Sequence, residues 1–208
     1  MSKKIIITIA RQYGSGGREI GELVSAKLGI PIYDKLLITE AAAKGDFNEE
    51  VLKTADESAS NTLLYTLAVG SNTLGAAMHF GYKMPINDKL FLLQSDVIRD
   101  YAKKGSGIFI GRCADYVLRD EPNILRLFIY GDLDHRRARV IQRHPEIKSS
   151  QIVETINKID KRRSTYYNFY TGNKWGHFDN YDMAINTSTL GIEGTADLIC
   201  RFVEELTK

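Results

Sequence analysis

Short apolar segments alternate with longer amphipathic ones along most of the chain. Five segments are brief, rich in β-branched or aromatic residues, and lack the polar alternation of a strand with one exposed face. Such segments are typical of strands buried on both faces of a parallel sheet. The predicted strands are Ile5–Ile9, Pro31–Tyr33, Ile108–Ile110, Leu125–Tyr130 and Met183–Ile185.

Apolar residues at spacings of three and four predict helices over residues 20–28, 90–101, 152–166 and 192–206. Gly29 and Gly105 follow the first two helices as stop signals, and Asn87 or Asp88 is a candidate N-cap of the second. Because strands and helices alternate, we expect right-handed crossovers and an α/β fold with a doubly wound parallel sheet.

Residues 45–86 interrupt this alternation. The segment contains helix-forming stretches, glycines and small polar residues, but no convincing strand. It is predicted to be a helical insertion in a single domain spanning residues 1–208. A cover over a substrate and a partner surface are both compatible with its composition.

Composition excludes several classes of protein. The 208 residues are 43% hydrophobic and 26% charged, which excludes a disordered chain. Lys and Arg number 28 against 26 Asp and Glu, a net charge of +2, so we expect no nucleic-acid partner. No apolar stretch is long enough to span a membrane, and the N-terminus lacks the pattern of a signal peptide. We therefore expect a soluble cytoplasmic protein without a membrane partner; a homo-oligomer is compatible with the sequence.

Cysteine and histidine usage indicates no metal site. Cys113 and Cys200 are too few and too far apart for a disulfide scaffold or a zinc site, and we expect both to be buried, unreactive thiols. The four histidines show no ligand spacing. The sequence therefore predicts no metal ligand set formed by the protein alone.

A glycine-rich loop follows the first predicted strand. Gly14, Gly16 and Gly17 lie between this strand and an amphipathic helix, where glycine permits positive φ and close approach of a ligand to the backbone. Backbone N–H groups and the helix dipole favour an anion at such a helix start. The loop predicts phosphate binding, although a tight strand-to-helix turn without a ligand has the same pattern.

The loop departs from the standard phosphate-binding pattern of nucleotide-binding proteins. That pattern places Lys at position 17 and Ser or Thr at 18, whereas this chain has Gly17 and Arg18. Arg11 also stands where the first glycine of the pattern belongs. Arg18 is a candidate replacement for the missing lysine, since a guanidinium can grip phosphate with two N–H groups. The missing hydroxyl removes a direct magnesium ligand.

Six ordered segments resemble the cytidylate kinase-like family, a branch of the P-loop nucleoside monophosphate kinases. They are ITIARQYGSGGREIG (7–21), PIYDK (31–35), IFIGRCADYVLRD (108–120), LRLFIYGDLDHRRARV (125–140), DKRRSTYYNFYTGNKW (160–175) and NYDMAINTSTLGIEG (180–194). The resemblance implies a parallel five-stranded sheet flanked by helices. It also implies ATP as donor and a small phosphate-accepting substrate, and it leaves open whether this substrate is CMP. With ATP as donor we expect Mg²⁺ as cofactor.

The resemblance assigns the ATP phosphates to the glycine-rich turn, and Arg18 is there the expected catalytic cation. The expected ATP-binding residues are Gly14, Ser15, Gly16, Gly17, Arg18 and Glu19. It also implies a lid at about residues 132–150, whose Arg136 and Arg139 close over the transferred phosphoryl group. Arg143 shares their helical face. A solvent-exposed basic stripe is the alternative for this face.

The resemblance places the acceptor on Arg112, Asp160 and Arg163. Arg112 follows the third strand at the edge where ligands bind in open α/β sheets, but it could instead pair with Asp115. Asp160 and Arg163, three residues apart, could pair with each other. Asp34 ends the second strand, where it could bind a substrate hydroxyl or a magnesium-bound water, or cap the next helix.

These features favour an ATP-dependent phosphotransferase acting on a nucleoside monophosphate or another small metabolite. The missing lysine leaves a second hypothesis, a non-catalytic nucleotide- or anion-binding module used for sensing or assembly. Phosphate transfer to an acceptor distinguishes the two.

Overall fold

The computed structural model describes residues 3–34 and 86–208. The predicted insertion at 45–86 lies outside the described residues except for its last position. Contacts divide the chain into two compact units, one of Met1–Asp34 with Ile98–Lys208 and one of Lys35–Val97. Residues 86–97 are the described part of the second unit, and they form the beginning of a helix.

The elements are numbered here over the described residues. The strands are β1 (Ile6–Arg11), β2 (Ile32–Tyr33), β3 (Gly107–Ile110), β4 (Ile124–Tyr130) and β5 (Met183–Asn186). The helices are α1 (Gly17–Leu28), α2 (Ile86–Lys104), α3 (Ala114–Val117), α4 (Leu133–Arg143), α5 (Ile152–Thr171) and α6 (Thr187–Thr207). Two 3₁₀ turns, Ser149–Gln151 and Phe178–Asn180, complete the described elements.

The five strands form one parallel sheet in the order β2-β3-β1-β4-β5. The central strand β1 pairs with β3 on one side and β4 on the other, so that Ile7 lies opposite both Ile108 and Leu125. The predicted five-stranded, doubly wound sheet is confirmed. Its register brings the carboxyl ends of the strands to one edge, where the glycine-rich loop begins.

The core lies on both faces of this sheet. On one face α1 and α6 pack together, and their Val24 and Ile199 are fully buried beside Ile7 and Ile9 of β1. On the other face Phe128 of β4 packs against an aromatic group that includes Tyr181 and Trp175. Each buried Ile or Phe contributes about 1.5–3 kcal/mol, so packing on both faces stabilises the sheet.

Half of the predicted helix bounds agree with the structure, and the helices otherwise extend three to five residues further than predicted. Gly29 ends α1 in the left-handed conformation, at φ 64°, and its N–H donates to the carbonyl of Ser25. Within α6 the backbone leaves helical geometry at Gly191, so the regular helix starts at the predicted Ile192. The N-cap prediction for α2 is wrong, because the helix already includes Ile86 and so contains both Asn87 and Asp88.

Both cysteines are free and buried, as predicted. Burial raises the pKa of the Cys113 and Cys200 thiols above the ordinary value, which disfavours the reactive thiolate. Among the described residues no helix combines the length and apolar character needed to cross a membrane.

Candidate active site

The loop between β1 and α1 requires glycine at two positions. Gly14 and Gly16 have φ of 78° and 84°, which other residues rarely adopt. A Cβ at Gly14 would also lie 2.9 Å from the carbonyl oxygen of Arg136, and one at Gly16 would meet the side chain of Ile192. The loop is therefore held close to α4 and α6, with its backbone uncovered by side chains of its own.

Two buried hydroxyl groups brace this loop from below. The Ser15 Oγ lies 2.8 Å from the carbonyl oxygen of Gln12 and 3.1 Å from that of Ile129. The Thr187 Oγ1, at the start of α6, lies 2.9 Å from the Ser15 carbonyl oxygen. Ser15, a predicted ATP-binding residue, thus has its side chain directed into the protein, where it fixes the loop to β4.

A cavity of about 360 Å³ opens above the loop, within the first compact unit. The loop and the first turn of α1 form its floor; Asp34, Arg163 and the C-terminal end of α4 form its walls. Its volume falls in the range of small-molecule sites. It also lies at the carboxyl edge of the sheet, where ligands bind in open α/β folds.

The cavity carries an excess of positive charge. Its lining includes the guanidinium groups of Arg11, Arg18, Arg139, Arg143 and Arg163, against the two carboxylates of Glu19 and Asp34. The net charge of the whole chain is only +2, so positive charge is concentrated here. Such a concentration inside a concave surface favours an anionic ligand.

Arg11 lies in the least favourable environment of these cations. Burial and the charge of Arg163 lower the pKa of the Arg11 guanidinium from 12.5 to about 9, although Asp34 opposes the shift. Burial also lowers the pKa of Arg163, which donates from Nη1 to the carbonyl oxygen of Arg11 at 2.9 Å. An anion between these groups would relieve both costs.

Two arginines of α4 share one carboxylate at the cavity wall. Arg139 Nη2 and Arg143 Nη2 each lie 2.6 Å from Oε2 of Glu19 in α1. These residues bring together one predicted catalytic group, Arg139, and one predicted ATP-binding group, Glu19. In the structure Glu19 therefore supplies the negative charge that a bound phosphate would otherwise supply.

Arg136 lies behind the cavity wall, and its guanidinium is anchored by protein groups. It is buried, with Nη1 2.6 Å from Oδ2 of Asp160 and 3.2 Å from the Tyr13 carbonyl oxygen, and Nε 2.9 Å from the Gly131 carbonyl oxygen. The other oxygen of Asp160 accepts from the Tyr13 N–H at 2.7 Å. This network fixes α4, α5 and the loop to one another.

The predicted lid begins on this packed base. Val140 of α4 is buried with Ile152 and Ile156 of α5, and Tyr13 and Ile147 pack against them. The exposed part of the predicted lid, after Arg143, carries His144, whose Nδ1 lies 2.9 Å from Glu146.

Arg18 and Asp34 face each other at the cavity mouth. Arg18 Nε lies 3.0 Å from Glu22 Oε1 and 3.3 Å from Asp34 Oδ2, and its side chain is 53% exposed. The charge of Arg18 is therefore partly neutralised and largely solvated. Asp34 directs one oxygen to Arg18 and keeps its place in the lining.

Arg112 occupies a strained turn after β3. Gly111, Arg112 and Cys113 all have positive φ, of 73°, 55° and 55°, and such residues occur mostly singly in proteins. Burial raises the pKa of Tyr166 in α5, and a hydrogen bond with Arg112 opposes this shift. Asp115, the alternative partner, is buried and accepts from the Tyr167 hydroxyl at 2.6 Å.

The structure thus gathers only part of the predicted site around the cavity. Present in its lining are Gly14, Gly16, Gly17, Arg18, Glu19, Asp34, Arg139 and Arg163. Ser15, Arg136 and Asp160 support it from behind, and Arg112 lies on the neighbouring turn. Asp160 and Arg163 do not form the pair considered from their spacing, because Asp160 binds Arg136.

Arg11 is a cavity residue that the sequence reasoning did not include. One sequence signal could have found it. The chain has an arginine, Arg11, at the first glycine of the loop pattern, and it lacks the lysine of the same pattern. This substitution alone does not show that the Arg11 side chain points from β1 into the cavity.

The residues present suit a magnesium ion held mainly by its nucleotide. Within residues 3–34 and 86–208 no group of three or more metal-ligating side chains occurs. Asp34 lines the cavity, and Mg²⁺ in phosphoryl-transfer sites commonly takes one or two carboxylates, several waters and the substrate phosphates. A carboxylate beside a cationic cavity fits that arrangement.

Comparison with known proteins shows which family has this arrangement. The model of the cytidylate kinase-like family matches residues 6–189, a range that contains every residue lining the cavity. The chain belongs to the cytidylate kinase-like family. The resemblance found in the sequence is thereby confirmed, and with it a kinase-like phosphotransferase family. No curated protein matches the chain.

Solved structures agree with this family's fold. An uncharacterized protein from Eubacterium ventriosum ATCC 27560 is 27% identical, with a TM-score of 0.71 and coverage of 97% of this chain and 99% of that one. Shikimate kinase from Bacteroides thetaiotaomicron is 13% identical, with a TM-score of 0.53 and coverage of 96% and 98%. Shikimate kinase from Acinetobacter baumannii in complex with shikimate is 10% identical, with a TM-score of 0.50 and coverage of 98% and 94%. The two shikimate kinases show the shared fold alone.

Proposed function

We propose that this member of the cytidylate kinase-like family transfers a phosphoryl group from ATP to a small anionic acceptor. The acceptor is a CMP-like nucleoside monophosphate or another phosphate-accepting metabolite. The observation that carries the proposal is the 360 Å³ cavity, which combines a glycine-rich loop with five arginines against two carboxylates. Phosphoryl transfer depends mainly on positioning and charge stabilisation, and this cavity offers both.

The donor half of the proposed site is the loop with the start of α1. The first N–H groups of a helix have no partner within the helix, and its dipole favours an anion there. Gly14, Gly16 and Gly17 line the cavity where the ATP phosphates would bind. Arg139 lies over Gly16, since a Cβ there would be 3.3 Å from Arg139 Nη2, and so can reach a phosphate bound on the loop.

The acceptor half extends from Arg163 to the strained turn at Arg112. Arg163 and Asp34 line the cavity, and their charges, with that of Arg112, all act on the pKa of Arg11. Backbone strain of this kind occurs mostly where surrounding structure and function maintain it. An ionised phosphate acceptor needs no general base, and for a hydroxyl acceptor Asp34 is the carboxylate available to take the proton.

Mg²⁺ bound to the ATP phosphates would neutralise charge that develops during transfer. On the protein side, Asp34 would bind a water of this ion. Glu19 is engaged by Arg139 and Arg143, so it becomes available only when these arginines turn to the phosphate.

The test is an acceptor screen with ATP and Mg²⁺, read as ADP release. We expect turnover with at least one nucleoside monophosphate or small metabolite. Arg163→Gln should lower kcat/KM about 100-fold or more, because one charged contact to a phosphate is lost. Charge removal at Arg112 or Arg18 should also lower it, whereas Arg137→Gln, on the exposed face of α4, should leave it unchanged.

The same screen tests the alternative of a binding module without catalysis. Gly17 in place of the usual lysine favours that alternative. Calorimetric binding of ATP without ADP release for any acceptor would support it. Absence of both binding and turnover would overturn the proposal.

A further inference from the structure

If the glycine-rich loop binds phosphate, as the proposed function requires, it needs a cation close to that phosphate. The loop lacks lysine at position 17, and Arg18 is half exposed and paired with Glu22 and Asp34. The structure offers a second candidate that lies deeper, at the end of β1.

Position 17 has no backbone reason to be glycine. Gly17 is the first residue of α1 and is not among the residues with positive φ. Alanine and lysine are better helix formers than glycine, so glycine here carries an energetic cost. Space explains the choice, since a Cβ at position 17 would lie 2.6 Å from the Arg11 Cβ and 3.0 Å from its Cγ.

The Arg11 side chain passes over Gly17 and reaches Gly111 at the end of β3. A Cβ at Gly111 would collide with Arg11 Nη1. The guanidinium therefore lies between the phosphate loop and the acceptor-side turn, and it lines the cavity. It crosses the path that a lysine side chain from position 17 would need.

Arg11 differs from the other four cavity arginines in its partners. Arg18 pairs with two carboxylates, Arg139 and Arg143 share Glu19, and Arg163 donates to a carbonyl oxygen. Within the described part of the chain no carboxylate forms an ion pair with Arg11, and Asp34 acts on it only from a distance. A desolvated cation without a counter-ion is poised for an anionic ligand.

We infer that Arg11 takes the role of the missing lysine of the phosphate loop, and that residue 17 is glycine because the Arg11 side chain occupies its space. Arg11 contacts the phosphate that lies between donor and acceptor. Arg18 contributes charge at the cavity mouth.

Calorimetry with ATP and Mg²⁺, and with inorganic tripolyphosphate, tests the phosphate contact. Arg11→Gln keeps the Cβ and Cγ that pack on Gly17 and should weaken both affinities about ten- to a hundred-fold. Arg11→Lys should weaken them less, Arg18→Gln should have a smaller effect than Arg11→Gln, and Arg137→Gln should have none. The unliganded Arg11→Gln protein should melt at least as high as the wild type, which shows that the lost binding is not lost folding.

A double-mutant cycle measured by thermal stability tests, without any ligand, whether the Arg11 side chain excludes a Cβ at position 17. Gly17→Ala should lower the melting temperature, although alanine favours a helix, and the Arg11→Gly/Gly17→Ala double variant should lose less than the two single changes added together. Arg11→Gly/Gly17→Lys, which restores the usual lysine, should regain tripolyphosphate binding relative to Arg11→Gly.

The outcomes separate this inference from the proposed function. If the wild type binds neither ATP nor tripolyphosphate, the proposed function fails, and the phosphate role of Arg11 fails with it. If the wild type binds and Arg11→Gln binds equally well, only the inference fails. If the changes at positions 11 and 17 have additive effects on the melting temperature, the Arg11 side chain is not the reason for glycine at position 17.

Discussion

At the residue scale, the Arg136–Asp160 ion pair joins α4 to α5 beside the cavity. Its side chains are 9% and 16% exposed, and their closest atoms are 2.6 Å apart. Asp160 also accepts the Tyr13 N–H, so this one carboxylate holds α4 and the glycine-rich loop in place. The geometry explains both residues first as a support for the site.

Replacing Asp160 tests that support. Asp160→Asn can still accept from Tyr13, but it leaves the Arg136 charge buried without a counter-ion. Removing one partner of a buried pair costs about 3–5 kcal/mol, and the partial exposure here places the expected loss near the lower value. Urea unfolding measures it. Glu205→Gln, which removes an exposed pair with Lys208, should cost at most about 1 kcal/mol. Equal losses in both variants would contradict the supporting role.

The sequence predicted which residue types gather at the site better than it predicted their partners. Gly14, Gly16 and Arg163 follow from the loop pattern and the family resemblance. Arg11 could not be placed, because its role depends on Gly111, one hundred positions away in the chain. The ion pair between Asp160 and Arg136 likewise joins residues of two different helices. The spacing along one helix predicts a pair between Asp160 and Arg163 instead.

At the element scale, a salt bridge joins β4 to the residue before the outer strand β5. Arg126 of β4 donates to Asp182, just before β5, through its backbone N–H and through two guanidinium nitrogens at 3.2 and 2.7 Å. Burial raises the pKa of the Asp182 carboxyl, and the hydrogen bonds and charge of Arg126 outweigh this, so the pKa lies below the ordinary 3.8. The ionised carboxylate therefore stabilises the start of β5.

The sign of the shift predicts how stability changes with pH. Because the folded-state pKa of Asp182 is depressed, its contribution is present above pH 3.8 and disappears as the pH falls through the folded value. The wild type should thus exceed Asp182→Asn in unfolding free energy at neutral pH and lose this advantage in acid. Burial raises the pKa of Asp115, so Asp115→Asn should show the opposite trend. Chemical denaturation over a pH series measures both, and a difference for Asp182→Asn that is constant with pH would contradict the assignment.

Elements were predicted well where hydrophobic periodicity is strong. All five strands lie within one or two residues of their predicted bounds. The apolar pattern is strongest in β1, β3 and β4, which are mostly buried, whereas β2 and β5 are only partly buried. The short helix α3 was not predicted, since four residues after a strained turn carry no periodicity. The N-cap of α2 was misplaced because Asn and Asp favour the first turn of a helix as well as the cap.

At the scale of the whole molecule, the strand order explains why residues distant in sequence meet. In the order β2-β3-β1-β4-β5, the carboxyl end of β1 lies between the carboxyl ends of β3 and β4. Arg11 is therefore flanked by the turn at Arg112 and by the segment leading to α4. Periodicity predicted that a parallel sheet exists, and the family resemblance supplied the kind of sheet. Neither of them predicted the excess of arginines over carboxylates in the cavity, because that excess depends on where the side chains point.

That charge balance gives the last prediction. In the unliganded protein Glu19 pairs with both Arg139 and Arg143, so an incoming phosphate must compete with this carboxylate for both guanidinium groups. Glu19→Gln removes the competitor. Tripolyphosphate, measured by calorimetry without Mg²⁺, should then bind up to about five-fold more tightly, the scale of a partly exposed ion pair. Glu205→Gln raises the net charge from +2 to +3 in the same way but lies outside the cavity lining, and it should leave the affinity unchanged. Weaker binding by Glu19→Gln would mean that Glu19 holds the arginines in position for the ligand.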